Sequence, residues 1–205
     1  MAEPPGSDAG RLPRDPGWDR DRRVVAVTLV AGTVALAATL TSATALGLVV
    51  AAIWLVGSAV LPRPPVRSLT PGNTGVAVAL GAAAYGGFVA VSYVARLVPV
   101  LDNAIDSILA TADEDPLVLV LVVALVNAAA EEVFFRYALL AVCGPVTATG
   151  LYITTTAATL NVSLVAAATV MGPLLMVQRQ RTGTPLAPVI THLTWSTMML
   201  LAFPS

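Results

Sequence analysis

The chain has one cysteine, Cys143, and one histidine, His192, among its 205 residues. A lone cysteine excludes an intrachain disulfide framework and any CxxC pair for zinc or redox work; its default reading is a small buried hydrophobe. A lone histidine excludes a two-histidine zinc site within one chain, although hydrolytic zinc usually draws two or three imidazoles. Lysine is absent, so all 11 basic residues are arginine, and with abundant Ala, Val, Gly and Pro this reads as the codon bias of a GC-rich bacterial genome. Charge is scarce as well: 11% of residues are charged, against about 25% in ordinary soluble domains. With a net charge of -1 and arginines scattered through loops and tails, there is no basic stripe to track phosphates, which argues against a nucleic-acid partner.

What the chain has is apolar surface. Hydrophobic residues make up 57% of it and mean hydropathy is +0.82, more than a water-soluble core can use. The expectation is an all-α, polytopic transmembrane helical bundle in a bacterial plasma membrane, with the lipid bilayer as its solvent. Residues 1–23, rich in Pro, Gly, Asp and Arg, read as a disordered cytoplasmic tail. Apolar runs follow at 24–40, 43–61, 74–98, 117–143, 146–160, 162–177 and 185–203. A spanning helix needs about 20 apolar residues, so the fifth and sixth runs are short and the expected count is six to eight spans. Turn signals separate the runs: Pro62, Pro64 and Pro65; Pro71 and Gly72; Pro116; Gly144 and Pro145; Gly183. The first run ends in Ala43, Thr44 and Ala45, like a signal-peptide cleavage site. The charged stretch before it is long and many spans follow it, so a retained first span is expected. The chain thus divides into the tail, N-terminal helices with an outer loop over 24–114, and a motif-bearing region over 115–205.

The positive-inside rule tests orientation. With seven passes and the N-terminus inside, Arg63 and Arg67 fall in a cytoplasmic loop, and so do Arg179 and Arg181. Asp102, Asp106, Asp113, Glu114 and Asp115 fall in an outer loop without a basic residue. In that loop Leu101, Ile105, Ile108 and Leu109 recur at helical spacing, which predicts a short interfacial helix.

The fourth run reads LVLVLVVALVNAAAEEVFFRYALLAVC and puts Glu131, Glu132 and Arg136 inside a membrane helix. Its 15 Leu, Val and Phe residues gain roughly 0.3–0.6 kcal/mol each, while a central charge costs about 2.5–3.5 kcal/mol. Three charges cancel most of the gain, so the helix needs polar partners within the bundle and is the candidate functional element. Glu132 and Arg136 are four apart and can pair on one face, with the acid on the favourable N-terminal side. Glu131 lies about 100° round the helix, between Asn127 and Phe135. One acid can then be neutralised by arginine while the other stays free for general-base work. The alternative, a buried ion pair that only fixes helix packing, accounts for Glu132 and Arg136 better than for Glu131.

A second polar cluster lies in the last run: Thr191, His192, Thr194, Trp195 and Ser196, with His192 and Ser196 on one face. Counted at about 1.5 Å per residue from the cytoplasmic ends, Glu131 and His192 lie at similar depth and can meet in one cavity. A lone membrane histidine also serves as a hydrogen-bonded packing residue.

The string from Glu131 to Arg136 resembles the EExxxR motif of the CAAX prenyl endopeptidase family of intramembrane proteases, which includes bacteriocin-processing and abortive-infection relatives. Two further motifs mark that family: FxxxH, then HxxxN. The last resembles His192 with Ser196 in place of asparagine, preceded by Arg181, Thr182 and Gly183. By spacing, the FxxxH histidine falls near Asn161, with Ala157 at the phenylalanine, so neither expected residue is present. The resemblance implies an endopeptidase that hydrolyses a peptide or membrane-protein substrate at the cytoplasmic membrane face. In it Glu131 is the base that activates water, Glu132 with Arg136 the organising pair, and His192 the assistant or oxyanion donor, with Asn161 and Ser196 as further hydrogen-bond donors. A divalent metal, if the family uses one here, would draw on Glu131, Glu132 and His192.

Two other functions compete. A pseudoprotease that keeps the polar cavity but binds or protects a partner fits the missing motif histidine and asparagine. A small transporter fits intramembrane acids in general, but the chain has no internal repeat, and its acidic cluster has no counterpart in the first half.

Overall fold

A computed structural model describes residues 16–39, 46–113 and 115–202. Among the described residues every regular element is helical. These are α1 Pro16–Thr39, α2 Leu46–Val60, α3 Pro71–Ala95, α4 Pro99–Asp113, α5 Leu117–Val133, a π-helical turn Phe134–Ala138, α6 Leu139–Ala157, α7 Val162–Thr182 and α8 Leu186–Ala202. Most of the tail expected over 1–23, and the cleavage-like Ala43, Thr44 and Ala45, lie outside the described residues. Within the tail, α1 already begins at Pro16, where Arg23 Nε donates to the Asp19 carbonyl and Arg22 lies over the Trp18 ring.

Four helical stretches have the length and composition to cross a membrane: Gly17–Thr39, Pro71–Ala95, Leu117–Ala157 and Val162–Thr182; Leu46–Val60 and Leu186–Ala202 are shorter apolar helices. The bundle is apolar outside and polar within. Val27, Val30, Val34, Val76 and Val118 are more than half exposed, whereas Glu132 and Arg136 are 0% exposed. Lipid is the solvent that tolerates the first and forces the second. The fourth and fifth runs are helical segments that meet at a kink at Gly144, whose φ of 76° and ψ of 172° fit glycine alone; Pro145 then starts the next segment. The sixth run extends to Thr182, so Arg179 and Arg181 sit in the last turn of α7 and not in a loop.

Local signals set the ends of several helices. Thr70 caps α3 by accepting from the Asn73 N–H, with Pro71 in the first turn, and Asn161 caps α7 by accepting from the Ser163 and Leu164 N–H groups. Gly183 ends α7 in the left-handed region. Two loops meet at that end: the Arg67 N–H donates to the Gly183 carbonyl at 3.0 Å. At the other end of α7, Asn161 Nδ2 donates to the Ala104 carbonyl and to Ser107 Oγ, each at 2.9 Å, holding α4 against the α6–α7 connection. The arginines at 63, 67 and 181 therefore gather at one end of the bundle, and Asp102 and Asp106, paired with Arg96 at 2.6 and 2.9 Å, at the other. Those two carboxylates raise the already high Arg96 pKa through their hydrogen bonds, Asp106 first.

The core sits where α2, α5, the π turn and α6 meet, around Trp54. Its indole stacks on Phe134 at 4.9 Å and meets Phe135 edge-on at 5.2 Å. On the far side α8 packs on α3 and α5. There a Cβ at Gly81 would stand 2.6 Å from the Thr191 carbonyl oxygen, so only glycine allows the approach that lets Thr191 Oγ1 donate to the Ala77 carbonyl at 2.9 Å. That contact fixes the turn of α8 carrying His192.

Candidate active site

The acidic motif straddles a change of helix type. Glu131 and Glu132 close α5, and Arg136 is the middle residue of the π turn. A single π turn inside an α-helix shifts the side chains after it round the axis and is frequent at functional sites. Phe134 and Phe135, 0% and 1% exposed, pack into the aromatic core and lock the turn in place. Glu132 and Arg136 are thereby aimed into the bundle.

One carboxylate oxygen organises the centre. Glu132 Oε1 accepts from Arg136 Nη1 at 3.0 Å and lies 2.9 Å from His192 Nδ1. An ionised carboxylate only accepts, so Nδ1 carries the proton and Nε2 is left as the working nitrogen. His192 Nε2 has no hydrogen-bond partner among the described residues; the ring, 6% exposed, lies 5.8 Å from the Trp195 ring. The Arg136 guanidinium lies 4.0 Å above the face of Tyr152, from α6, and the Arg136 carbonyl accepts from Arg179 Nε at 3.0 Å.

Glu131 occupies the adjoining face. It is half-buried, accepts from Asn127 Nδ2 at 3.0 Å and is close enough for His192, Glu132 and Arg136 to act on it electrostatically. Several polar atoms of the cluster are buried with no partner among the described residues: Glu132 Oε2, Arg136 Nε and Nη2, and Asn127 Oδ1. Buried polar groups are normally satisfied, so this centre has hydrogen-bonding capacity to offer a guest. A cavity of about 380 Å³ opens at Tyr137, the residue after Arg136, and is lined also by Val66, Arg67, Ser68, Thr184 and Leu186 but by none of Glu131, Glu132, Arg136 and His192.

The structure thus brings together Glu131, Glu132, Arg136 and His192. It does not bring Asn161 to them: the Asn161 side chain is committed at both ends, its oxygen capping α7 and its nitrogen holding α4. Ser196 is half-buried one turn past His192 and has no hydrogen bond to the cluster among the described residues. The α6 residue that does reach the cluster is Tyr152. Its signal in the sequence is that it is the single aromatic of the run 146–160. Arg179 was legible only as a loop cation, yet it is 7% exposed and turned inward.

A divalent metal does not fit the donors as arranged. No group of three or more His, Cys, Asp or Glu side chains is placed to hold one among the described residues, and Glu132 Oε1 and His192 Nδ1 face each other across a hydrogen bond.

The fold and centre define a class: a helical membrane protein whose bundle encloses a carboxylate, arginine and imidazole cluster. Within it, residues 113–198 match the family model described as Type II CAAX prenyl endopeptidase Rce1-like. This is the family the Glu131–Arg136 motif resembles, and the matched segment contains both that motif and His192. No curated protein and no solved structure matches the chain.

Proposed function

We propose that the protein is an intramembrane endopeptidase of six to eight helical passes that hydrolyses peptide bonds at the cytoplasmic face of a bacterial plasma membrane with a glutamate-activated water. One observation carries the reading: Glu132 meets His192, some 60 residues away in sequence, at 2.9 Å inside an apolar bundle, with Glu131 beside them and close enough to interact electrostatically with both. Packing alone has no use for the extra, unneutralised Glu131.

In this reading the Glu131 carboxylate takes a proton from water as the oxygen attacks the scissile carbonyl carbon, and the carbonyl pair moves to oxygen. The resulting oxyanion draws on buried N–H donors, for which the unpartnered edge of Arg136 is suited. Collapse breaks the C–N bond, and the proton passes to the departing amine, with His192 Nε2 as the carrier. Glu132 does not touch substrate; it keeps the imidazole in one tautomer and orientation and balances the developing imidazolium. The arginines at 63, 67 and 181 mark the cytoplasmic end by the positive-inside rule, and the Tyr137 cavity at that end is where a peptide segment of the substrate would enter.

The test is purified protein in lipid with a panel of membrane-tethered peptides. Turnover that disappears in Glu131→Ala supports the reading. A second reading, a pseudoprotease that binds a partner, draws on the presence of a single imidazole and on Asn161 being engaged elsewhere; it is favoured if the intact wild type turns over no peptide but retains one of the panel.

A further inference from the structure

Arg179 and Arg181 lie two residues apart at the end of α7 and behave differently. Arg181 is exposed, as a cation at a membrane surface should be. Arg179 is 7% exposed, makes no ion pair among the described residues, and its Nε donates to a neutral acceptor, the Arg136 carbonyl, at 3.0 Å. That carbonyl belongs to the central residue of the π turn, where the regular i to i+4 ladder is interrupted. From there three contacts run in series: Arg179 Nε to the Arg136 backbone at 3.0 Å, Arg136 Nη1 to Glu132 Oε1 at 3.0 Å, and that same oxygen to His192 Nδ1 at 2.9 Å.

We propose that Arg179 is a positioning residue of this site: it clamps the π turn through its backbone, so that Arg136 and Glu132 hold His192 in the Nδ1-protonated tautomer. The clamp rests on the peptidase reading only for its effect on turnover; its effect on the imidazole stands without it. Atom count separates the clamp from a mere surface cation. Arg Nε is the fourth side-chain atom from the backbone, and so is the amide nitrogen of glutamine. Arg179→Gln keeps a donor there and loses the charge, Arg179→Lys keeps the charge with its nitrogen one bond too far, and Arg179→Met keeps bulk with neither.

Because His192 is the only histidine, nitrogen NMR on isotope-labelled histidine in the full chain, in lipid, reads its tautomer directly and without turnover. The wild type and Arg179→Gln should show one Nδ1-protonated population, and Arg179→Met and Arg179→Lys a mixture. A wild-type spectrum in folded Arg179→Met overturns the proposal, as does a wild type that is not Nδ1-protonated. If Arg179→Met fails to fold, the other pair decides: a wild-type tautomer in Lys with a mixture in Gln overturns the clamp, and the reverse supports it. On a cleaved peptide, Arg179→Met should lose about tenfold or more in kcat with KM moved less than about twofold, and Gln should restore it. Absence of turnover in the wild type counts against the peptidase reading alone.

Discussion

Glu132 Oε1 is shared between Arg136 Nη1 at 3.0 Å and His192 Nδ1 at 2.9 Å, so one oxygen couples the acidic motif of α5 to the imidazole of α8. The three residues form a network, and its members should not respond independently to substitution.

Glu132 and Arg136 are both 0% exposed, and removing one partner of a buried pair leaves the other charge uncompensated, at about 3–5 kcal/mol. Glu132→Ala and Arg136→Met should each lose roughly that much by reversible unfolding in mixed micelles. The double variant Glu132→Leu with Arg136→Met should recover most of it. A double variant as unstable as the sum of the singles would mean that the pair is not coupled.

The network also shows what sequence can and cannot deliver. Ionised side chains in an apolar run are readable without coordinates, since their cost in hydrocarbon demands partners. Glu131, Glu132, Arg136 and His192 were therefore all accessible from residue type and spacing. Partners that act through backbone or ring faces leave no such trace. Arg179 reads as a surface cation until α7 is seen to continue past it, and Tyr152 reads as one more membrane aromatic until its ring lies under a guanidinium. Asn161 was misplaced because motif spacing counts residues along the chain. The connection between α6 and α7 is a tight turn in which Leu160 takes a φ of 58°, and an asparagine there caps the next helix. Most helix positions followed from hydropathy, and the Gly144–Pro145 turn signal marks the kink at which the helical backbone is interrupted.

Asn161→Ala should therefore behave as a structural substitution. Loss of the cap costs about 0.5–2 kcal/mol, and loss of the two bonds to α4 loosens that helix. Proteolytic nicking or hydrogen exchange in residues 99–113 should rise while the His192 tautomer stays unchanged. A change at His192 with α4 undisturbed would return Asn161 to the site.

Tyr152 separates ring from hydroxyl. The guanidinium of Arg136 lies over its face at 4.0 Å, an interaction of roughly 0.5–2 kcal/mol. Tyr152→Phe keeps the face and should be close to neutral, whereas Tyr152→Leu should lose about that amount. Equal losses in both, measured by the same unfolding assay, would assign the effect to the hydroxyl.

Gly183 joins the basic loop 62–70 to the end of α7, through the Arg67 N–H to Gly183 carbonyl bond. Its φ is 71°, and a Cβ there would stand 2.7 Å from Arg67 Cδ, so Gly183→Ala combines left-handed strain of about 1–2 kcal/mol with displacement of the Arg67 stem. The expected result is a loop 62–70 that becomes protease-sensitive. Because the Tyr137 cavity is built between these segments, KM for a cleaved peptide should rise more than kcat falls.

The sharpest separation of roles is between the two adjacent acids. Glu131 holds one hydrogen bond, from Asn127, and no ion pair among the described residues, so Glu131→Gln preserves shape and hydrogen bonding and should cost less stability than the same change at Glu132. A neutral amide cannot take a proton from water, so turnover should drop by about a hundredfold or more. Glu132→Gln should do the opposite: stability falls because Arg136 loses its counter-charge, and some turnover remains because the amide oxygen still accepts from His192 Nδ1. If Glu131→Gln retains wild-type turnover and Glu132→Gln abolishes it without loss of stability, the base is the inner acid, through its unpartnered Oε2, and the roles assigned to the two glutamates must be exchanged.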